Sequence, residues 1–304
     1  MKRLFKRLLF LAITVLITNV DSFAQNMRHA FLTNNVVQQF EFSPDNNLVA
    51  CYVPASKEDG SKSVVRTLYI KDLKSNDTKV VFSHENDAEL PMSSILGFTN
   101  NNELLYLDGD KLMSYNISEA TKTEKITLSS SSVISAAAAL KEGKLYVQTL
   151  DGFYIYNIED GELIDQHEAE IPIYQYLNID NSENLVYTLP TKDGTTIMSI
   201  DRKIDQPTDI TRSFSSLVDN PYIAIEKSNN EYVVAGSNGV YLVDSKSKKA
   251  EIILENNNNE LGKIEELSLS KDKSMLYLRR LEVSPRVYSM SIKGGSLNAI
   301  DVSL

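Results

Sequence analysis

Short runs of Leu, Val, Ile and Tyr, separated by polar turns, recur along the chain, and Lys144 to Leu163 shows the unit most clearly. There Lys-Leu-Tyr-Val-Gln-Thr-Leu and Phe-Tyr-Ile-Tyr-Asn-Ile flank Asp151-Gly152. An Asp-Gly pair between two β-prone runs is a strong short-range hairpin signal, because the tight turn needs positive φ and glycine adopts it without a Cβ penalty. Third strands aligned on this hairpin put Tyr69, Met113, Tyr154, Met198, Tyr241 and Tyr288 at one position. Three residues later stand Asp72, Asn116, Asn157, Asp201, Asp244 and Ser291, short polar side chains suited to accepting backbone hydrogen bonds where a strand turns.

The second strands are predicted at Leu48–Val53, Glu103–Leu107, Lys144–Gln148, Asn184–Leu189, Glu231–Ala235 and Ser274–Leu278. The first are predicted at Gln39–Phe42, Ser94–Phe98, Val133–Leu140, Ile173–Leu177, Tyr222–Ile225 and Ile264–Leu269. More polar fourth strands are expected at Lys79–Phe82, Glu124–Leu128, Glu162–Asp165, Thr208–Thr211, Ala250–Leu254 and Leu297–Val302, as befits an edge that meets water. The alanines Ala136–Ala139 sit where an inner strand is due and read as strand, not helix. The period of just over 40 residues is that of four-stranded propeller blades. The predicted fold is all-β, a six-bladed β-propeller of four-stranded antiparallel blades. A seventh, degenerate blade is the alternative. The last blade has its own fourth strand, so closure without a borrowed N-terminal strand is expected, although Met27–Leu32 is placed to pair at its edge.

The stretch Phe42-Ser-Pro-Asp-Asn-Asn-Leu-Val-Ala50, followed by Leu68-Tyr-Ile-Lys-Asp-Leu73, resembles the repeat of the TolB-type propellers within the wider WD-type superfamily. The Trp-Asp and Gly-His marks of WD repeats are absent and the chain has no Trp. The resemblance implies a platform for proteins, peptides or glycans, with enzymes a minority, and transfers no functional residue.

Composition narrows the function. The formal charge is −10, which argues against nucleic acid, since phosphate neutralisation needs clustered Lys and Arg. The single cysteine, Cys51, excludes an internal disulfide and reads as a small buried thiol. At the start, Lys2, Arg3, Lys6 and Arg7 precede an apolar run from Leu8 to Ile17, then Ser22-Phe-Ala24. This is the pattern of a cleaved signal peptide over residues 1–24, with the propeller over 36–304 after a short N-terminal segment, 25–35. Export to the periplasm or the medium is therefore expected, with no membrane insertion after cleavage.

Two stretches look alike, His84-Glu-Asn-Asp-Ala-Glu-Leu-Pro91 and His167-Glu-Ala-Glu-Ile-Pro172, and are predicted as loops from fourth to first strands. Such loops share a face with the hairpins that carry Asp108, Asp110, Asp151 and Asp193. The candidate binding face is thus His84, Glu85, Asp87, Glu89, Asp108, Asp110, Asp151, His167, Glu168, Glu170 and Asp193, whose negative field would attract a basic peptide or a cation. The solvating role of polar loops is the simpler reading of the same residues. The two histidines fall two repeats apart with no ligand-spaced partner, so no metal is expected. No Gly-x-Ser-x-Gly elbow or phosphate-cradling loop occurs, and no catalytic set or cofactor is predicted. The only acids predicted on first strands are Glu41, Glu265 and Glu266, while Tyr174, Tyr176 and Tyr222 are candidates to line an axial channel. The sequence therefore predicts a binding scaffold for a protein, peptide or envelope component, with a hydrolase or lyase at the channel mouth as the alternative.

Overall fold

The structure, a computed structural model, describes residues 37–303 apart from 57–62, 88–93, 129–132, 134, 150–151, 169–176, 181–183, 192–193, 202–203, 257–261 and 281–285. The described residues form six antiparallel four-stranded sheets, each built from strands consecutive in sequence. The first blade is β1 (Gln39–Phe42), β2 (Leu48–Ser56), β3 (Ser63–Asp72) and β4 (Thr78–Asp87). The second is β5 (Ser94–Asn100), β6 (Glu103–Asp108), β7 (Lys111–Asn116) and β8 (Thr121–Thr127). The third is β9 (Ser135–Ala139), β10 (Lys144–Gln148), β11 (Gly152–Asn157) and β12 (Leu163–Glu168). The fourth is β13 (Leu177–Ile179), β14 (Leu185–Thr191), β15 (Gly194–Asp201) and β16 (Ile204–Asp209), followed by a 3-10 turn at Thr211–Ser213. The fifth is β17 (Ile223–Ser228), β18 (Glu231–Gly236), β19 (Gly239–Asp244) and β20 (Lys249–Glu255). The sixth is β21 (Ile264–Leu269), β22 (Met275–Arg280), β23 (Arg286–Ser291) and β24 (Asn298–Asp301).

The core lies between blades, because each sheet buries both faces against its neighbours. One cluster joins Tyr52, Leu68 and Phe82 of blade one to Leu104 and Tyr106 of blade two. Equivalent clusters lie between blades two and three around Leu107 and Leu145, and between three and four around Tyr146 and Tyr187. Blades four and five share a cluster around Val186 and Val234, and blades five and six one around Val233 and Leu278. A sixth cluster, Phe40, Phe42, Val49, Tyr69, Tyr277 and Val302, returns from blade six to blade one and closes the ring. The six-bladed expectation therefore holds, and blade six is complete from its own strands. Met27–Leu32 lies outside the described residues.

The period in the sequence is a packing period. Tyr69, Tyr106, Tyr146, Tyr154, Tyr187, Tyr241, Tyr277 and Tyr288 all belong to or pack against these inter-blade clusters. Cys51 is fully buried, and burial pushes its thiol up to about 12. At the ends of third strands the carboxylate of Asp72 accepts the Lys74 and Ser75 N–H groups at 2.8 and 3.0 Å. Asp244 does the same for Lys246 and Ser247, both at 2.9 Å. These donors hold both carboxyls below the usual aspartate range. Turns after inner strands also repeat: Ser43 Oγ and Ser270 Oγ each accept the N–H five residues on, at 3.0 Å, and each donates to the Asp two residues on.

Some boundaries differ from expectation. Among the described residues the inner strand of blade four is Leu177–Ile179, the predicted Ile173–Tyr176 lying outside them, and β17 runs past Ile225 to Ser228, adding Glu226 and Lys227 to an inner strand. The outer strands of the first five blades are longer than predicted, β4 reaching Asp87, because a polar edge carries no alternation to mark its end, while β24 is shorter than the predicted Leu297–Val302. A β-bulge interrupts the pairing of third and fourth strands beside Tyr69, Met113 and Tyr241, at the position that aligns the repeats. Bulges of this kind add twist.

Candidate functional site

Because every blade repeats one order from inside to outside, all six inner strands start at one face. The connections from fourth to first strands and the hairpins from second to third strands lie there. The predicted loop residues His84, Glu85, Asp87, His167 and Glu168 are not in loops: they are the last residues of β4 and β12. Glu89, Asp151, Glu170 and Asp193 lie outside the described residues, as do Tyr174 and Tyr176.

The structure does bring two of the predicted residues together. His84 Nε2 lies 3.1 Å from Asp108 Oδ2, joining the end of β4 in blade one to the hairpin of blade two. Both side chains are part-exposed, and the imidazole stacks on Phe82 with ring centroids 4.9 Å apart. Asp110 is on the same hairpin, whose Gly109 has φ +64°. Arg66, the cross-strand partner of His84 on β3, is buried beneath this corner. The corner is therefore a polar clip between two blades at the rim of the face.

The larger concavity is the axial channel, about 810 Å³, lined by the inner strands. Its walls differ by blade. Ala136–Ala139 of β9 line one side without a polar side chain. Across the axis, β1 and β21 contribute Glu41, Glu265 and Glu266. Arg279 of β22, itself buried, donates through Nε to Glu266 at 3.1 Å and through Nη1 to Glu265. The backbone N–H of Phe40 further stabilises the Glu266 carboxylate across the ring seam. Burial still wins at Glu266: desolvation outweighs Arg279, and the carboxyl is raised to about 7. Glu41 has no such donor among the described residues. Burial first, and the neighbouring Glu266 second, raise it to about 8.

Glu41, Glu265 and Glu266 are visible in the sequence as inner-strand acids, but Glu226, which β17 also brings to the channel, is not, nor is the tie to Arg279, which depends on the β21–β22 register that sets Glu266 opposite the arginine. Tyr222, expected in the channel, packs instead against the cluster between blades five and six, and its hydroxyl accepts the Ile264 N–H at 3.3 Å. Asp45, Asp180 and Asp272, which recur in the turns after first strands, each accept a backbone N–H of their own turn, the work of an Asx turn. Among the described residues no group of three His, Cys, Asp or Glu is arranged to hold a metal ion, and no helix is long and apolar enough to cross a membrane.

No protein-family model matches the sequence, and no curated protein matches it. Solved structures do share the fold. Hydrazine synthase of Kuenenia stuttgartiensis aligns with 85% of this chain and 77% of its own at 11% identity, with a TM-score of 0.54. TolB from Acinetobacter baumannii aligns with 77% of this chain and 61% of its own at 12% identity and a TM-score of 0.52. Oligogalacturonate lyase from Vibrio parahaemolyticus covers 85% and 90% at 12% identity, with a TM-score of 0.51. At these identities the likeness is one of architecture.

Proposed function

We propose that the chain is an exported, non-catalytic propeller that binds a protein, peptide or envelope component on the acidic face where its inner strands begin. The observation that carries this reading is how the charged groups there are used. His84 is held by Asp108 at a rim between blades, and Glu265 and Glu266 are held by Arg279 inside the channel. Catalysis needs acids, bases or donors converging on a point a reacting atom can occupy. Here His84 and the two glutamates bonded to Arg279 are paired in separate places, which suits a surface that presents charge to a partner. The N-terminal pattern of basic residues, apolar run and Ser22-Phe-Ala24 supports export. Changing Glu85, Asp87, Glu168 and Glu170 together to serine should abolish capture of the partner from the native envelope by the purified protein. Undiminished capture would remove the face from the reading.

One observation favours the alternative, a hydrolase or lyase at the channel mouth. Glu41 and Glu266 are neighbouring carboxyls held protonated or half-protonated near neutrality, the state a general acid needs. That reading requires turnover of a glycan or peptide which is lost in Glu41→Gln. Turnover unchanged in that variant would sink it.

A further inference from the structure

The channel's acidic wall has a feature that partner binding on the outer face does not use. Glu41, Glu265 and Glu266 meet in a cavity of about 810 Å³, and Arg279 is the cation at their level, bonded to two of the three. Glu41 lines the same cavity, half-buried, with neither a hydrogen-bond donor nor a counter-ion among the described residues. The wall across the axis is Ala136–Ala139, whose small side chains leave the space in front of Glu41 open. The lysines that line the channel, Lys141, Lys271 and Lys273, stand at its other end, in the turns that follow inner strands.

We propose that Glu41, with Glu265 and Glu266 behind it, forms a binding site for an organic cation, a primary ammonium or guanidinium group that enters from the face where the inner strands begin. An anion is disfavoured because Arg279 already gives its donors to glutamates. A divalent metal is disfavoured because Arg279 sits on two of the three carboxylates. A single ammonium or guanidinium supplies both things Glu41 is missing, a donor and a charge.

Binding is coupled to a proton. Elements packed around Glu41 bring few other charges: β21 gives Glu265 and Glu266, β22 gives Arg279, β2 only Cys51 and Tyr52, and β5 and β9 none. Glu41 holds its proton near pH 7 and releases it to solvent when the cation arrives.

The test is calorimetric titration of the purified protein with agmatine and, separately, with end-blocked Gly-Arg-Gly, in two buffers of different ionisation enthalpy. Agmatine should bind with release of close to one proton at pH 7, and about tenfold or more weaker in Glu41→Gln. Glu265→Gln, a second near-isosteric change, should weaken it in the same direction, and a melting curve for each variant checks folding. Equal binding of the peptide would identify a side chain as the natural source of the group, and binding of agmatine alone would identify a free amine. No binding of either probe, or binding unaltered in both variants, overturns the site. The outcome is independent of the outer face: capture lost in the quadruple serine variant leaves this site untouched, and failure of agmatine to bind leaves the face untouched.

Discussion

The interface between blades five and six and the seam between blades six and one do the same geometric job with different chemistry. The first has an apolar centre, where Val233, Val240, Leu267, Leu278 and Met290 meet with almost no exposure, and two polar ties at its edge: the Ile264 N–H donates to the Tyr222 hydroxyl and Lys273 Nζ to the Lys227 carbonyl. The seam has an apolar centre too, including Phe42 stacked on Tyr277 at 3.7 Å, but more polar ties surround it. The Tyr69 hydroxyl donates to the Val302 carbonyl, Lys71 Nζ donates to the Ser303 carbonyl at 3.0 Å and reaches Asp301 at 3.4 Å, and Arg279 and Phe40 secure Glu266. Blades five and six are adjacent in sequence, so the chain itself keeps them close. Blades one and six are joined only through the whole ring, and closing that loop costs conformational entropy that no short connection offsets. Apolar contact is non-directional, whereas hydrogen bonds fix one alignment. Among the described residues the seam therefore carries more of these directional groups than the interface between blades five and six, where a linker already imposes register.

The largest effect that sharpens this contrast is expected from Arg279→Met. It strands Glu265 and Glu266 without their cation, and removing one partner of a buried pair costs about 3–5 kcal/mol. The cost should be greatest at pH 8 and smaller at pH 5.5, where the stranded carboxyls take protons. Its neighbour Leu278 points the comparison the other way. Leu278→Ala empties a fully buried site in the apolar interface and should cost about 3 kcal/mol, equally at both pH values. Urea unfolding of both variants at both pH values tests the pair. Two profiles with the same pH dependence would erase the distinction between seam and interface.

A comparable effect belongs to the unaltered protein. Glu41 and Glu266 have folded values, about 8 and about 7, above the ordinary 4.5. The folded state thus holds protons that the unfolded chain has released, and stability falls as pH rises from about 4.5 to 8. A loss of up to about 5 kcal/mol between pH 5.5 and 8.5 is expected, since each tenfold difference in proton affinity between folded and unfolded chain is worth about 1.4 kcal/mol. Glu41→Gln should flatten the fall and be the more stable form at pH 8.5. Below about pH 4 the sign reverses, because Asp45, Asp72, Asp244, Asp272 and Asp301 are held below their ordinary value and lose their hydrogen bonds on protonation.

The apolar interfaces are legible in the sequence and the seam is not, for a physical reason. Tyr69, Tyr154, Tyr241 and Tyr288 recur because each blade meets the next by the same contacts, so packing writes itself as a period. Asp72 and Asp244 recur because each third strand ends in the same turn. Lys71 and Glu41 occur once, since the ring closes once, and a contact between first and last blades leaves no repeat to detect; Arg279 bonds glutamates of its own blade and is tied to blade one through Glu266, which takes the Phe40 N–H. The acidic face shows the intermediate case. Its residue types stand out in the sequence, but His84 and Glu85 read there as loop because outer strands are polar on the water side and resemble loops in composition.

The smallest expected effect asks whether polarity or its satisfaction separates the two kinds of interface. Gln148 ends β10 on the side of Tyr146, toward blade four, and is fully buried. Among the described residues neither its Oε1 nor its Nε2 has a hydrogen-bond partner, unlike the seam's Lys71 and Arg279. An unsatisfied buried amide carries its desolvation cost without return, so an apolar side chain of similar length should do better. Gln148→Met should raise stability by about 1 kcal/mol, independent of pH, because methionine fills the same unbranched volume. Gln148→Glu, which adds a charge with no partner, should lower it by more than that gain. Were Gln148→Met neutral or destabilising, an unpaired amide between blades would be free of cost. The hydrogen bonds at the seam could then no longer be credited with holding blade six to blade one, and the apolar centre around Phe42 and Tyr277 would have to do it alone.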